Sequence, residues 1–217
     1  MTSLPRIVSL LLVLTAKSAA LLCTECMSLT SSSCSGSSVT CPVDYVCQAE
    51  YMETDGIKTV IRTCAPSSEC SMNGSMSTIY GKVRTIILCC SVDNCTPSPP
   101  SFPVPTPVST PNGVTCRSCM SADSTWCDTS DTIQCTGDED MCFLRTTQLT
   151  GSKSMDDGQS ALRGCATKSL CDFGSRSKTI QGATISSNYI CTSDGISVHE
   201  VLLTPAIVCL LLLKVFF

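Results

Sequence analysis

Cys89-Cys90-Ser91-Val92-Asp93-Asn94-Cys95 places three cysteines within seven residues, and the downstream counterpart of this stretch has lost two of them. The cysteines fall into two blocks. The first holds Cys23, Cys26, Cys34, Cys41, Cys47, Cys64, Cys70, Cys89, Cys90 and Cys95; the second holds Cys116, Cys119, Cys127, Cys135, Cys142, Cys165, Cys171 and Cys191. Both open with steps of three and eight residues, and the step of six from Cys64 to Cys70 returns from Cys165 to Cys171, which marks an internal repeat. Counting on from Cys191 as from Cys89, the places of Cys90 and Cys95 are held by Thr192 and Ser197. Losing both positions together keeps the cysteine count even, which points to a bond between Cys90 and Cys95.

Between the blocks, residues 96–112 carry Pro97, Pro99, Pro100, Pro103, Pro105, Pro107 and Pro111 and no charge. Such a stretch prefers polyproline II at roughly 3.1 Å per residue, a semi-rigid spacer of up to about 50 Å. The expected organisation is a signal peptide over 1–20, a first domain over 21–95, the linker over 96–112, a second domain over 113–193, and a discarded tail over 194–217. Each domain has only about 75 to 80 residues, too few for a hydrophobic core to stabilise alone. Cross-links must supply the difference.

The ends indicate the compartment. Arg6 precedes an apolar run from Ile7 to Leu14, and Ser18 and Ala20 occupy positions −3 and −1 of a cleavage point before Leu21, the pattern of a secretory signal. That run is too short to span a bilayer. Val201 to Phe217 is apolar apart from Thr204 and Lys214, and Ser193-Asp194-Gly195 offers small residues at ω and ω+2. This reads as a glycosylphosphatidylinositol (GPI) attachment signal with Ser193 as the acceptor; a single-pass helix and soluble secretion are the competing readings. Cysteines exported to an oxidising lumen pair with one another.

Composition removes whole classes of function. Of 19 cysteines, 18 lie between residues 21 and 193, while the chain has five phenylalanines, four tyrosines, one tryptophan and 15% charged residues. This is a disulfide scaffold rather than one large enzyme domain. The sole histidine, His199, falls in the discarded tail, so Ser-His and Cys-His nucleophile pairs and His-containing zinc sites are not expected. Residues 21–193 carry 11 Lys plus Arg against 16 Asp plus Glu, a net charge of 11 − 16 = −5, which disfavours nucleic acid as a partner. No cofactor and no metal are implied.

Between the cysteines the pattern is that of hairpins. Strand-like Tyr45 to Met52 and Ile57 to Thr63 flank Thr54-Asp55-Gly56, and Asp-Gly between such runs is a strong turn signal. A second hairpin is expected between Cys70 and Cys89, with Asn73-Gly74 as a possible turn and Val83 to Leu88 as the returning strand. Between Cys142 and Cys165, Gly151 and Asp157-Gly158 are available for turns. The reading is all-β.

Cys23-x-x-Cys26, ten cysteines at these steps and the Cys89–Cys95 stretch resemble the lymphocyte-antigen-6/urokinase-receptor (LU) family of three-finger, snake-toxin-like domains, and the resemblance covers both blocks. It implies two disulfide-rich three-finger domains with the bonds Cys23–Cys47, Cys26–Cys34, Cys41–Cys64, Cys70–Cys89 and Cys90–Cys95, then Cys116–Cys142, Cys119–Cys127, Cys135–Cys165 and Cys171–Cys191. Thr96 stands where that family usually has asparagine. The layout of ten cysteines, a proline-rich link with Pro111-Asn112-Gly113, and eight cysteines lacking the final pair is similar to the gamma-type phospholipase A2 inhibitors. So are Arg163-Gly164-Cys165 and Cys191-Thr192. The resemblance implies a non-enzymatic extracellular binder whose ligand is a protein, in first place a secreted phospholipase A2. The competing roles are a GPI-anchored adhesion or receptor-accessory protein and a secreted pheromone-like signal.

The partner-binding candidates are Tyr51, Met52, Glu53, Asp55 and Ile57 on the finger face of the first domain, with Phe102 and Val104 as an apolar strip in the linker. A plain spacer is the bland reading of that strip. Asn73-Gly-Ser75 and Asn94-Cys-Thr96 are glycosylation sequons at Asn73 and Asn94. The Cys-x-x-Cys pairs read as structural bonds, Ser175-Arg-Ser-Lys178 as a chance match to a nucleophile motif, and Gly137-Asp138-Glu139-Asp140 as a solvated loop without EF-hand spacing.

Overall fold

Asp55 and Gly56 form a two-residue turn. Strands β3 (Tyr45–Thr54) and β4 (Ile57–Pro66) pair antiparallel from Tyr45↔Pro66 to Thr54↔Ile57, so two residues reverse the chain, with φ of 51° at Asp55 and 83° at Gly56. Two positive φ values in succession match the right-handed twist of the flanking strands, the geometry that Asp-Gly favours. The computed structural model describes residues 20–102, 110–151 and 157–193.

The first domain adds β1 (Leu22–Ser28) and β2 (Ser37–Thr40) as one hairpin, and β5 (Asn73–Thr78) and β6 (Gly81–Cys90) as another. In the third hairpin the turn is Ile79-Tyr80, because Thr78 pairs with Gly81. Asn73-Gly74, one possible turn on the sequence reading, instead opens β5, with Asn73 opposite Ile86. The reason is close packing: a Cβ on Gly74 would lie 2.8 Å from Thr167 Oγ1 in the second domain.

The second domain repeats the plan with β7 (Pro111–Arg117), β8 (Cys119–Ser121), β9 (Thr132–Thr136), β10 (Met141–Thr150), β11 (Gly158–Ala166), β12 (Ser175–Ile180) and β13 (Ala183–Thr192). Among the described residues of this domain a short helix, α1, spans Lys168–Cys171. The bridges Cys23–Cys47, Cys26–Cys34, Cys41–Cys64, Cys70–Cys89 and Cys90–Cys95 clamp the first domain. Cys116–Cys142, Cys119–Cys127, Cys135–Cys165 and Cys171–Cys191 clamp the second. Each domain is thus three hairpin fingers fastened at their base, an all-β three-finger fold.

The two blocks are not held apart by the linker. Strand β11 pairs with β5 across the boundary, Cys165 opposite Ser77 and Ala166 opposite Met76, which joins the domains in one sheet of order β12-β13-β10-β11-β5-β6-β3-β4-β1-β2. Gly164 permits the junction, since a Cβ there would sit 2.0 Å from the Ser77 carbonyl oxygen. The Thr167 N–H donates to the Ser75 carbonyl at 2.9 Å and extends the seam. The sheet then curls until its ends meet: Thr63 Oγ1 on β4 donates to the Thr179 carbonyl of β12 at 3.3 Å, and the Gln181 N–H donates to Glu25 at 2.7 Å.

Curling gives the sheet an inner and an outer face. The inner core draws on both domains, with Met72, Met76 and Ile87 from the first against Phe143, Leu170 and Tyr189 from the second. Burying such side chains contributes about 1.5–3 kcal/mol each. A smaller outer cluster of Ala49, Tyr51 and Val60 is covered by Phe102, and the Tyr51 hydroxyl donates to the Pro97 carbonyl. The start of the linker therefore lies along the first domain.

Candidate functional site

Alternation along β3 sends Glu50 and Met52 to the inner face and Tyr51 to the outer. Glu50 meets two cations from β12, Arg176 Nη2 at 2.7 Å and Lys178 Nζ at 2.6 Å, all three being largely buried. Lys178 also donates to Gln48 Oε1. Burial by itself raises the Glu50 carboxyl, but the Lys178 and Arg176 charges and their hydrogen bonds outweigh it and hold the group at about 2. Glu50 is thus a fixed anion that ties the domains together. The Ser-x-x-Lys match belongs to this contact: Arg176 and Lys178 point inward, while Ser175 and Ser177 hydrogen-bond Asn188 and Ser186 at the exposed surface.

The acidic run 137–140 departs from the solvated loop expected of it. Glu139 is fully buried, accepts from Ser75 Oγ at 2.5 Å and pairs with Lys82 at 2.8 Å. Its partners lie 64 and 57 residues upstream, beyond the reach of any local pattern. Asp138 and Asp140 beside it remain exposed. Two groups of close sulfurs, Cys23, Cys41 and Cys64, and Cys116, Cys135 and Cys165, have ligand-like proximity. Every one of them is consumed in a bridge and offers no thiolate.

The finger-face candidates divide. Tyr51 is 1% exposed, so it is not free to meet a partner, while Phe102 packs against it and remains partly exposed. The physical cause is that the outer face of β3 is a core in its own right, roofed by the linker. Met52 lines the inner cavity. Glu53 pairs with Arg84 at 3.2 Å. Asp55 and Ile57 are exposed at the tip of the second finger, Ile57 by 58%. Val104 lies outside the described residues.

The tip of the third finger joins them. A Cβ on Gly81 would stand 3.1 Å from Asp55 Oδ2, which shows how close the two turns lie. Ile79 and Tyr80 in that turn are 46% and 61% exposed. The Ile79 N–H donates to Ser118 Oγ at 2.9 Å, two residues before Met120 on β8, itself 57% exposed. Ile57 on the second finger, Ile79 and Tyr80 on the third, and Met120 on β8 are exposed apolar side chains, and Asp55, Asp138 and Asp140 are exposed acids. Ile79, Tyr80 and Met120 were not evident from the sequence, although two bulky apolar residues ahead of Gly81 are a recognisable oddity for a turn.

The sequons are both on the surface. Asn73 is exposed at the start of β5, and its carbonyl accepts from Ser169 Oγ at 2.7 Å. Asn94 is exposed with φ of 53°; its side-chain oxygen accepts from Ser38 at 2.6 Å and its N–H donates to the Leu22 carbonyl at 2.7 Å. With Asp93 accepting from the Leu22 N–H at 2.9 Å, the Cys90–Cys95 loop braces β1 and β2 at the base of the fingers. Ser193 is exposed at the last described position, and the segment beyond it lies outside the described residues. Among the described residues no helix is long and apolar enough to cross a membrane.

Comparison with known proteins adds four findings. A family model described as the u-PAR/Ly-6 domain matches residues 19–98 and again 112–196. A phospholipase A2 inhibitor gamma subunit of Elaphe climacophora is 28% identical over 51% of this chain and 54% of its own. The phospholipase A2 inhibitor 25 kDa subunit of Naja kaouthia is 29% identical over 52% of this chain and 59% of its own. The chain therefore spans about half the length of the curated relatives it matches. The crystal structure of mouse TEX101 is 16% identical, covering 80% of this chain and 98% of that one, with a TM-score of 0.33.

Proposed function

The chain belongs to the u-PAR/Ly-6 domain family, and from that premise we propose that it is an extracellular, non-enzymatic protein-binding protein of the phospholipase A2 inhibitor type. The apolar patch on its finger tips covers the membrane-facing surface of a basic secreted phospholipase A2, and a GPI anchor at Ser193 holds it at the cell surface. The observation that carries this reading is that Ile57, Ile79, Tyr80 and Met120 are all exposed, on two finger turns that approach each other and on the strand that follows Ser118, which the third finger's turn contacts. Disulfides hold the bases of these fingers, so binding costs little ordering entropy. Aromatic and aliphatic anchors surrounded by charge are what a binding hot spot needs. The exposed carboxylates of Asp55, Asp138 and Asp140 favour a basic partner by charge complementarity.

A panel of secreted phospholipases A2 acting on lipid vesicles provides the test. The purified protein should suppress hydrolysis by at least one basic member, and Ile57→Ser with Tyr80→Ser should relieve the suppression. Cell binding without any effect on hydrolysis would transfer the reading to the adhesion or receptor-accessory class. Release from cells by a phosphatidylinositol-specific phospholipase C would support the anchor, and retention would count against it.

A further inference from the structure

Finger-tip binding leaves the space between the domains unused. The curled sheet lines a partly open cavity of about 200 Å³. Its lining combines apolar Met52, Ile61, Met76, Ile180 and Ile185 with charged Arg145, Arg176, Lys178 and Glu50. Both domains contribute, so the site exists only in the joined molecule.

Glu69 stands within electrostatic reach of Arg176, but among the lining residues themselves the charges do not balance. Glu50 is engaged by Arg176 and Lys178, while Arg145 forms no salt bridge among the described residues. Arg145 Nε is buried with no hydrogen-bond partner, and so is Arg176 Nη1. Three cations face one carboxylate among the lining residues. A buried donor left unsatisfied costs about 1–3 kcal/mol, more when charged. Folding positions Arg145 by its place opposite Tyr189 and Leu162 in the sheet, not by any acceptor of its own. A guanidinium in that setting presents a planar fork that matches a carboxylate, and the apolar remainder of the wall suits a hydrocarbon tail.

We propose that the interdomain cavity is a binding site for a short-chain alkyl carboxylate, with the carboxylate held by the Arg145 guanidinium and the tail against Met52, Ile180 and Ile185. The bound anion neutralises the excess positive charge, and its tail bridges the two domains. The proposal does not depend on the finger-tip reading, since the cavity lies on the inner face of the sheet.

Titration calorimetry of the exported protein with hexanoate, with hexan-1-ol as the uncharged control of equal carbon number, provides the test. Hexanoate should bind at one site and at least tenfold more tightly than the alcohol. Arg145→Gln should weaken hexanoate at least tenfold and leave the alcohol unchanged. Ile185→Trp, which fills the cavity while keeping Arg145, should abolish binding of both, with melting curves confirming that each variant is folded. Equal binding of acid and alcohol, undiminished hexanoate affinity in Arg145→Gln, or no binding by the wild type would overturn the proposal. If Ile185→Trp does not fold, the Arg145→Gln comparison decides.

Discussion

Replacing Glu50 by glutamine should undock the two domains while leaving each one folded. The substitution preserves shape but strands Arg176 and Lys178, which the wild type pairs at 2.7 and 2.6 Å in a buried setting. Removing one partner of a buried ionic cluster costs about 3–5 kcal/mol. Proton linkage gives a second, independent magnitude. The Glu50 carboxyl falls from 4.5 to about 2 in the folded protein; at 1.36 kcal/mol per pH unit that depression corresponds to about 3 kcal/mol. Because the folded value is the lower one, this stabilisation is complete above about pH 4.5 and is lost as pH falls toward 2. Hydrogen exchange should report the effect at the seam, where the Thr167 N–H donates to Ser75, and urea unfolding at pH 7, 4.5 and 2.5 should report it globally. Glu50→Gln should speed exchange at Thr167 far more than at the β3–β4 amides, and should flatten the acid limb of the stability profile. A variant within about 0.5 kcal/mol of wild type, the range of ordinary surface changes, with the same acid limb, would refute this account of the interface.

Three further outcomes follow from the geometry. Gly164→Val should cost about 1–3 kcal/mol by overpacking, since its Cβ would fall 2.0 Å from the Ser77 oxygen; exchange protection across β5–β11 should drop while the disulfides stay intact. Ile57→Asp and Tyr80→Ser should each weaken partner binding at least tenfold in surface plasmon resonance without moving the melting temperature, because both side chains are more than half exposed. Deleting Cys41–Cys64, which spans 23 residues, should cost about 3 kcal/mol against about 2 for Cys90–Cys95, which spans 5, as loop-closure entropy requires; denaturant midpoints in the opposite order would contradict that ranking.

The fold was legible in the sequence where the controlling interaction is local or is carried by cysteine spacing. An all-β molecule of two repeated domains follows from the two cysteine blocks, and Asp55-Gly56 turns the second finger because both residues tolerate positive φ. The site was less legible, for a common physical reason. Asn73-Gly74 resembles a turn, yet Gly74 is needed for close approach to Thr167, 93 positions downstream. Glu139 sits in an acidic run, yet its carboxylate is buried against Lys82 and Ser75. Arg176 and Lys178 resemble part of a catalytic motif, yet they serve Glu50 across more than 120 residues. Tyr51 has the profile of an exposed finger residue and is sealed by Phe102 and Pro97. Each of these depends on one domain or the linker packing on another segment, which local pattern does not encode. Ile79 and Tyr80 were hidden for a related reason, since the turn they occupy is selected by the register of β5 on β6.

The most direct measurement is the intact mass of the exported protein, denatured without reductant in the presence of an alkylating agent. The account predicts that none of the 18 cysteines between residues 21 and 193 takes up label, and that peptide mapping recovers every bridge within a single domain. A labelled thiol in that span, or a bridge joining the two domains, would contradict it, because finger bases that are not closed in this way cannot hold the tips where a partner would meet them.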